Sequence, residues 1–116
     1  MTGVIYKICS QAIWDAAEAE GRFDGAGIDL EDGYIHFSDA AQVAETAWLH
    51  FKGIKGLVLV KVHTDGLPVV WEESRGGQSF PHLYEPLSLE FVESVVPLPC
   101  GPSGEHVFPD EIPPRP

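Results

Sequence analysis

Three polar side chains interrupt apolar, strand-like stretches of this sequence. His36 lies in YIHF at residues 34–37, Lys7 lies in IYKI at residues 5–8, and His82 lies beside Tyr84 in FPHLY at residues 80–84. An inward-facing imidazole must be hydrogen-bonded or take part in chemistry, because burying an unpaired polar group costs roughly 1–3 kcal/mol. Each residue also has an ordinary interpretation, since lysine keeps edge strands soluble and histidine packs in cores or under loops. The residues alone leave both interpretations open.

The stretch WEESRGG at residues 71–77 has the features of an anion site. Gly76 and Gly77 permit positive φ, so backbone N–H groups can turn toward one point, and Arg75 supplies a planar cation for phosphate or carboxylate. The same glycines are also compatible with a simple turn. Glu72 and Glu73 precede this loop, and because side chains alternate along a strand, only one of them can share the face of a site.

Other residues with reactive or titratable side chains receive ordinary interpretations. His50, His63 and His106 are interpreted as surface residues. Cys9 and Cys100 lie far apart without C-x-x-C or Cys/His spacing, so two free thiols are expected, with neither a disulfide nor a metal site. The sequence has no nucleophile elbow, P-loop or H-E-x-x-H motif, and it therefore lacks the defining residues of serine hydrolases, nucleotide triphosphatases and zinc proteases.

Composition limits the partners and the compartment. The 116 residues contain 18 acids and 7 bases, which give a formal charge of −11 and oppose approach to a long nucleic acid. No apolar run approaches the roughly 20 residues that a bilayer span requires, so no membrane partner is expected. The N-terminus shows no signal peptide pattern, and the expected compartment is the cytoplasm.

Periodicity and capping signals predict the elements. Residues 4–9 form a strand, and residues 10–20 form a helix that Ser10 caps and Gly21 ends. Residues 22–32 are an irregular connection to a strand at residues 34–37. Ser38 caps a second helix at residues 39–51, whose apolar residues recur every three or four positions. Residues 57–63 are nearly all apolar, which predicts a central strand, and further strands follow.

This order predicts an α+β fold, in which two helices pack on a split, strongly bent, mainly antiparallel sheet with a cleft between its halves. Residues 1–99 are predicted to form one domain. Residues from 97 onward contain seven of the ten prolines. Residues 100–116 are therefore predicted to be an extended or poorly ordered tail.

Four stretches in this order and spacing resemble a known family: IYKICSQAIWDAA, DGYIHFSDAAQVAETA, WEESRGG and FPHLYEPL. They are similar to the family called domain of unknown function 952, over about residues 3–99. That family is grouped with the ADP-ribosyltransferase superfamily, whose enzymes cleave NAD at the bond between nicotinamide and ribose. The resemblance therefore implies an ADP-ribosyltransferase-like fold.

A distant similarity to the RNA 2′-phosphotransferases implies roles for individual residues. Lys7 takes the place of a histidine that holds the adenosine ribose and the nicotinamide amide, and His36 takes a place beside the nicotinamide. Ser38 matches the serine after that strand, whereas the third motif, often a glutamate, falls near His82 and Tyr84 without a carboxylate. The resulting expectation has His36 and His82 as catalytic residues, and the ligand-binding residues are Lys7, Ser38, Arg75, Gly76, Gly77 and Tyr84.

The sequence therefore leaves three functions open. The first is an ADP-ribosyl transferase or NAD glycohydrolase with NAD or an ADP-ribose-like nucleotide as ligand and no metal. The second is a non-catalytic module that binds a nucleotide or another small anionic metabolite. The third is an interaction domain without a ligand. The chain is expected to be a monomer or a weak dimer.

Overall fold

The protein has an α+β fold, described by a computed structural model for residues 3–115 apart from the side chain of Arg75. The three helices of this part are α1 (Gln11–Glu20), α2 (Ile28–Asp32) and α3 (Val43–Phe51). The strands are β1 (Val4–Ser10), β2 (Arg22–Phe23), β3 (Ile35–His36), β4 (Leu57–His63), β5 (Val70–Glu73), β6 (Ser79–Leu83), β7 (Leu87–Ser88) and β8 (Val92–Leu98). Short 3₁₀ turns lie at Arg75–Gly77 and Leu89–Phe91.

The strands form separate antiparallel sheets. Their orders are β1-β4-β8, β3-β6-β5 and β2-β7, and every described pairing is antiparallel. The two three-stranded sheets meet where Tyr6 and Ser38 exchange backbone hydrogen bonds of 2.7 and 3.0 Å. The predictions of an α+β class, of antiparallel pairing and of a central strand at residues 57–63 are confirmed.

Helix α1 has the predicted capping residues. The Ser10 hydroxyl accepts a hydrogen bond from the backbone N–H of Ile13 at 3.1 Å, and Gly21 ends the helix with φ of 84°. Glycine adopts this left-handed conformation without steric cost. Trp14 and Ala17 turn inward and bury the apolar face against the sheet.

Helix α3 begins later than predicted. Residues 40–42 form a turn before the helix, Gln42 is the residue at the N-cap position, and Ser38 does not cap the helix. The Asp39 carboxylate accepts from the Gln42 backbone N–H at 2.9 Å, and the Gln42 side-chain oxygen accepts from the Asp39 N–H at 3.0 Å. This reciprocal pair satisfies two backbone donors that a helix start leaves free. The Ser38 hydroxyl instead contacts the Thr46 hydroxyl at 2.9 Å.

The prediction of only two helices is wrong, because α2 lies in the stretch predicted to be irregular. Five residues are too few to show a clear apolar stripe, and three of the five are acidic. The helix is fixed instead by Asp29, whose buried carboxylate accepts the backbone N–H groups of Ala26 at 2.9 Å and His36 at 3.0 Å. The contact to His36 lies beyond the helix, so a local pattern does not reveal it.

Strand β4 divides the core into two layers. Val58, Val60 and Val62 point to one side and pack with Trp14 and Phe23. The alternating residues Leu57 and Leu59 point to the other side, where they pack against α3. Both faces of β4 are thus covered, which explains its almost continuous apolar sequence.

The segment after β8 is made of turns and extended chain through residue 115. Cys100 and His106 form an isolated antiparallel bridge, and Ile112 is buried with the α3 layer. Glu111 accepts a hydrogen bond from the Tyr6 hydroxyl at 2.6 Å and pairs with Lys61 at 2.9 Å. These contacts hold the segment against the domain. Within the described residues, no helix has the length and apolarity to cross a bilayer.

The two cysteines are free thiols, as predicted. Cys9 is buried, whereas Cys100 is partly exposed. Burial raises the pKa of the Cys9 thiol to about 11.

Candidate functional site

A buried carboxylate organises the polar end of the cleft. Asp29 Oδ2 lies 2.6 Å from Lys7 Nζ, and Asp29 Oδ1 lies 2.6 Å from His36 Nδ1. Burial acts to raise the pKa of Asp29, but the charge and hydrogen bond of Lys7 and the further hydrogen bonds from Ala26 and His36 hold that pKa below its usual value. Asp29 therefore joins α2, β1 and β3 through one ionised side chain.

Lys7 is a buried ion-pair partner and not a surface residue. Only 8% of the residue is exposed, and its ammonium also donates to the His36 backbone carbonyl at 2.9 Å. Burial lowers the pKa of Lys7, and Asp29 offsets part of that effect. The interpretation of Lys7 as a solubilising edge residue is wrong, because β1 turns this side chain into the cleft.

His36 lies between two carboxylates. Its Nδ1 faces Asp29, and its Nε2 lies 3.0 Å from Asp32 Oδ2 on the exposed end of α2. A carboxylate only accepts hydrogen bonds, so the ring satisfies both contacts as a double donor when it is protonated. The histidine that interrupts the apolar strand is therefore paired, and its side chain, about 30% exposed, borders the cleft.

His82 has a carboxylate partner of its own. His82 and His36 are register partners in β6 and β3, and His82 Nδ1 lies 2.7 Å from Glu72 Oε1 on β5. The same oxygen of Glu72 accepts a hydrogen bond from the Tyr84 hydroxyl at 2.6 Å. That bond, together with the one from His82, lowers the pKa of Glu72. It also raises the pKa of Tyr84 to about 12. Of the two adjacent glutamates, Glu72 is thus the one that faces the site.

Tyr34 connects the two histidine–carboxylate pairs into one cluster. Its ring centroid lies 4.5 Å from His36, 4.4 Å from His82 and 4.9 Å from Tyr84. The two histidine rings are 5.3 Å apart and meet edge to face. Stacking of this kind restricts the ring orientations, so the imidazoles present a defined arrangement to the cleft.

The cluster borders a cleft with a volume of about 750 Å³. Lys7, Asp29, Asp32, His36 and His82 line its polar part. Its remaining walls are mostly apolar and come from Ile8, Ile13, Ala26, Ile28, Val43, Phe51, Ile54, Leu57 and Phe80. A mostly apolar cleft of this volume with a few convergent polar groups is typical of small-ligand sites.

The structure places four of the predicted site residues in this cleft, namely Lys7, Ser38, His36 and His82. Tyr84 lies beside the cleft, where its hydroxyl donates to Glu72 and its ring packs against Tyr34. Its side chain is mostly exposed.

The predicted anion loop borders the cleft through Ser74. Gly76 and Gly77 adopt left-handed conformations with φ of 66° and 78°. The side chain of Arg75 lies outside the part that the structure describes, so its convergence with the other residues stays a prediction.

Sequence reasoning missed Asp29, Asp32 and Tyr34, and it left Glu72 undecided. The available signal was the pair of aspartates shortly before His36, in a stretch that was predicted to be irregular. His106, interpreted as a surface residue, is buried. Within residues 3–115 no group of three or more His, Cys, Asp or Glu side chains has the arrangement of a metal site.

These features define a small α+β protein with a cleft whose polar end holds two carboxylate-bound histidines. The family model described as "Protein of unknown function (DUF952)" matches residues 8–95, and the chain belongs to this family. The comparison with curated proteins gives no match.

Solved structures of protein CC0527 from Caulobacter crescentus share the fold. The X-ray structure is 45% identical, covers 94% of this chain and 97% of that chain, and has a TM-score of 0.89. An X-ray structure of a double mutant gives a TM-score of 0.88 at the same identity and coverage. The solution NMR structure is 46% identical, covers 88% and 90% of the two chains, and has a TM-score of 0.76.

Proposed function

We propose that the cleft binds a ligand of the NAD or ADP-ribose type and that the protein cleaves the bond between nicotinamide and ribose in NAD. The observation that carries this proposal is the pair of imidazoles, 5.3 Å apart and each held by a carboxylate, at the polar end of a cleft of ligand size. The separate antiparallel sheets beside the cleft support an ADP-ribosyltransferase-like classification.

The charge of the site suits this chemistry. Asp29, Asp32 and Glu72 supply three carboxylates, and one of them is paired with Lys7. The nicotinamide end of NAD is cationic, and cleavage passes through a ribosyl cation. Carboxylates fixed near a developing positive charge stabilise it without reorganising at the moment of reaction. Glu72 supplies the carboxylate that sequence comparison did not find near His82.

Each histidine has a distinct role in the proposed reaction. The C–N bond breaks, and its electron pair leaves with the nicotinamide nitrogen. His36 has both ring nitrogens paired, with Asp29 and Asp32, so in this proposal it acts as a positioning residue that holds the two carboxylates at the cleft. His82 donates a hydrogen bond from its Nδ1–H to Glu72, which leaves the Nε2 lone pair to take a proton from the water or other acceptor that attacks the ribose carbon.

The phosphates of the ligand lie at the loop of residues 74–77 in this proposal. Lys7 is paired with Asp29 and is not free for a phosphate. Ser74 borders the cleft, and the two glycines of the loop turn their backbone in left-handed conformations. Arg75 would add a cation there. Arg75→Ala should weaken ADP-ribose binding about tenfold to a hundredfold, because a charge-assisted hydrogen bond contributes roughly 1.5–3 kcal/mol.

Binding without turnover is the second candidate. It is favoured by the internal pairing of Lys7, Asp29 and His36, which gives this part of the cleft a structural role already. In that case the cleft holds a nucleotide or another small metabolite and performs no chemistry.

Two measurements on the purified protein separate the candidates. Calorimetric titration with NAD and with ADP-ribose measures binding, and chromatography of NAD incubations measures released nicotinamide. We expect both binding and release, and we expect release to be lost in His82→Gln and kept in the remote helix variant Leu49→Ala. Binding without release would favour the second candidate. The absence of any binding would contradict both and would favour the interaction domain without a ligand.

A further inference from the structure

The cleft begins where two neighbouring parts of the chain stop pairing. Tyr6 on β1 and Ser38, shortly after β3, exchange backbone hydrogen bonds of 2.7 and 3.0 Å in an antiparallel bridge. In an antiparallel ladder the next hydrogen-bonded pair lies two residues further along, and here it would join Ile8 to His36. Within residues 3–115 these two residues form no bridge, and both line the cleft instead. The opening of the cleft therefore coincides with one missing pair of backbone hydrogen bonds.

The backbone of His36 is already occupied by two side chains. His36 turns its backbone groups toward β1, because the adjacent Phe37 donates its N–H to β6 at 3.0 Å and successive residues of a strand face opposite sides. The His36 N–H donates to Asp29 Oδ1 at 3.0 Å, and the His36 carbonyl accepts from Lys7 Nζ at 2.9 Å. Both groups that would bond to Ile8 are thus used. The ion pair of Lys7 and Asp29 takes the place of the next pair of backbone hydrogen bonds.

Ile8 keeps a backbone N–H and a backbone carbonyl that face the cleft. Tyr6 bonds toward Ser38, so Ile8, two residues later in the same strand, points to the same side. Strand β1 is the edge of its sheet, and in the part of the chain that the structure describes no other strand adjoins it at Ile8. The residue is only 5% exposed. Unpaired backbone groups in a buried residue are uncommon, so a specific contact must keep β3 from pairing with them.

The Lys7–Asp29 pair is held firmly between the two strands. Lys7 Nζ lies 2.6 Å from Asp29 Oδ2, and the two side chains are 9% and 1% exposed. Asp29 also accepts from the Ala26 N–H at 2.9 Å and contacts His36 Nδ1 at 2.6 Å, so the carboxylate is fixed from several sides. A buried ion pair often gives no more stability than apolar side chains of similar size. The position of this pair between two strands therefore indicates a role in the shape of the cleft.

We propose that Lys7 and Asp29 are positioning residues that keep the cleft open, because they occupy the backbone groups of His36 that would otherwise pair with Ile8. When Lys7 no longer bonds to the His36 carbonyl, that carbonyl accepts from the Ile8 N–H, and β3 moves onto the free edge of β1. The cleft then narrows at its polar end. This role concerns the shape of the cleft, and it depends neither on the ligand that the cleft binds nor on the cleavage of NAD.

Amide hydrogen exchange at Ile8, measured by NMR and divided by the intrinsic rate, tests the proposal. In the unmodified protein the Ile8 N–H should exchange faster than those of Lys7 and Cys9, which face β4. In Lys7→Met the exchange at Ile8 should slow about fivefold or more, which corresponds to roughly 1 kcal/mol and to one added hydrogen bond. If Lys7 only stabilised β1, its loss would speed this exchange. The direction of the change therefore separates the two roles.

Two further variants complete the test. Lys7→Arg keeps a cationic donor beside Asp29, so Ile8 should exchange as in the unmodified protein. Lys7→Met/Asp29→Ala frees both backbone groups of His36, and scalar coupling across a hydrogen bond from the Ile8 N–H to the His36 carbonyl should appear there and in Lys7→Met. Unchanged or faster exchange at Ile8 in Lys7→Met, or slowing in Lys7→Arg as well, would overturn the proposal. So would equal protection of Ile8 and Cys9 in the unmodified protein, a comparison that decides the matter if the variants fail to fold.

Discussion

At the scale of single residues, Asp29 determines much of the stability of the polar end. Asp29→Asn leaves the buried Lys7 ammonium without its counter-charge, and removing one partner of a buried pair costs about 3–5 kcal/mol. Lys7→Met should cost less, because Asp29 keeps its hydrogen bonds to Ala26 and His36. Urea unfolding at neutral pH measures both, with the exposed Asp24→Asn as the control. A smaller loss for Asp29→Asn than for Lys7→Met would contradict this role.

The same carboxylate gives the stability a defined pH dependence. The pKa of Asp29 is lower in the folded protein than its ordinary value, so its contribution is fully present above the unfolded value of about 3.9 and is lost as pH falls through the lowered folded value. The difference in unfolding free energy between the unmodified protein and Asp29→Asn should therefore shrink from about pH 4 downward. A constant difference over that range would show that Asp29 does not act through its charge.

Glu72 should control the ionisation of Tyr84. The hydrogen bond from the Tyr84 hydroxyl to Glu72 is the main reason that the pKa of Tyr84 is raised to about 12. Glu72→Gln removes the negative charge, and the pKa of Tyr84 should fall toward the ordinary value of about 10. Ultraviolet or ¹³C NMR titration measures this change. Glu73→Gln is the matched control, and an equal fall in both variants would contradict the assignment of Glu72 as the partner.

At the scale of elements, the loop before α2 positions Asp29. Gly25 has φ of 120°, and a Cβ atom there would lie 2.9 Å from the Cβ of Asp29, whereas a Cβ at Gly33, with φ of 83°, would meet open space. Both Gly25→Ala and Gly33→Ala introduce backbone strain, which is about 1–3 kcal/mol for such conformations. Gly25→Ala should cost more and should also shift the NMR signals of His36. Equal losses with unchanged His36 signals would contradict this account of the loop.

How well each element could be predicted depends on how local its stabilising contacts are. Helix α1 is bounded by Ser10 and Gly21, whose capping contacts reach only three or four residues, and its bounds were predicted correctly. Helix α2 is fixed through Asp29, whose partners His36 and Lys7 lie 7 and 22 residues away in sequence, and this helix was missed. Periodicity and capping rules detect contacts between residues that are close in sequence, and they do not detect contacts between residues that are far apart.

The candidate site was also predictable only where the signal is local in the sequence. Polar residues within apolar strands were visible in the sequence, and Lys7, His36 and His82 do line one cleft. Their carboxylate partners come from α2 and β5, and strand alternation alone did not decide between Glu72 and Glu73. A sequence presents residue types, whereas pairing across sheets is decided by tertiary structure.

At the scale of the whole molecule, the segment after β8 is part of the packed structure. Ile112 is 6% exposed and lies with Tyr6 and Leu98 in the layer beneath α3. Ile112→Ala should lower the free energy of unfolding by about 2–4 kcal/mol, because it removes buried methyl groups and leaves a cavity. Thermal and urea unfolding measure the loss. The neighbouring exposed Val107→Ala should change little, and similar effects of the two variants would indicate that the segment contributes little to stability.

Because Cys9 is buried, the rate at which its thiol is labelled should report how often the whole protein unfolds. Thiol reagents attack the thiolate, and both its raised pKa of about 11 and its position inside the sheet protect Cys9, while Cys100 is accessible. A colorimetric disulfide reagent at neutral pH should therefore modify one thiol rapidly and the second only as molecules unfold. In Cys100→Ser, the labelling rate should rise with urea in step with the unfolding rate from stopped-flow fluorescence. Rapid labelling of Cys9 in the folded protein would reveal a smaller, local opening of β1, through which solvent reaches the core without loss of the fold.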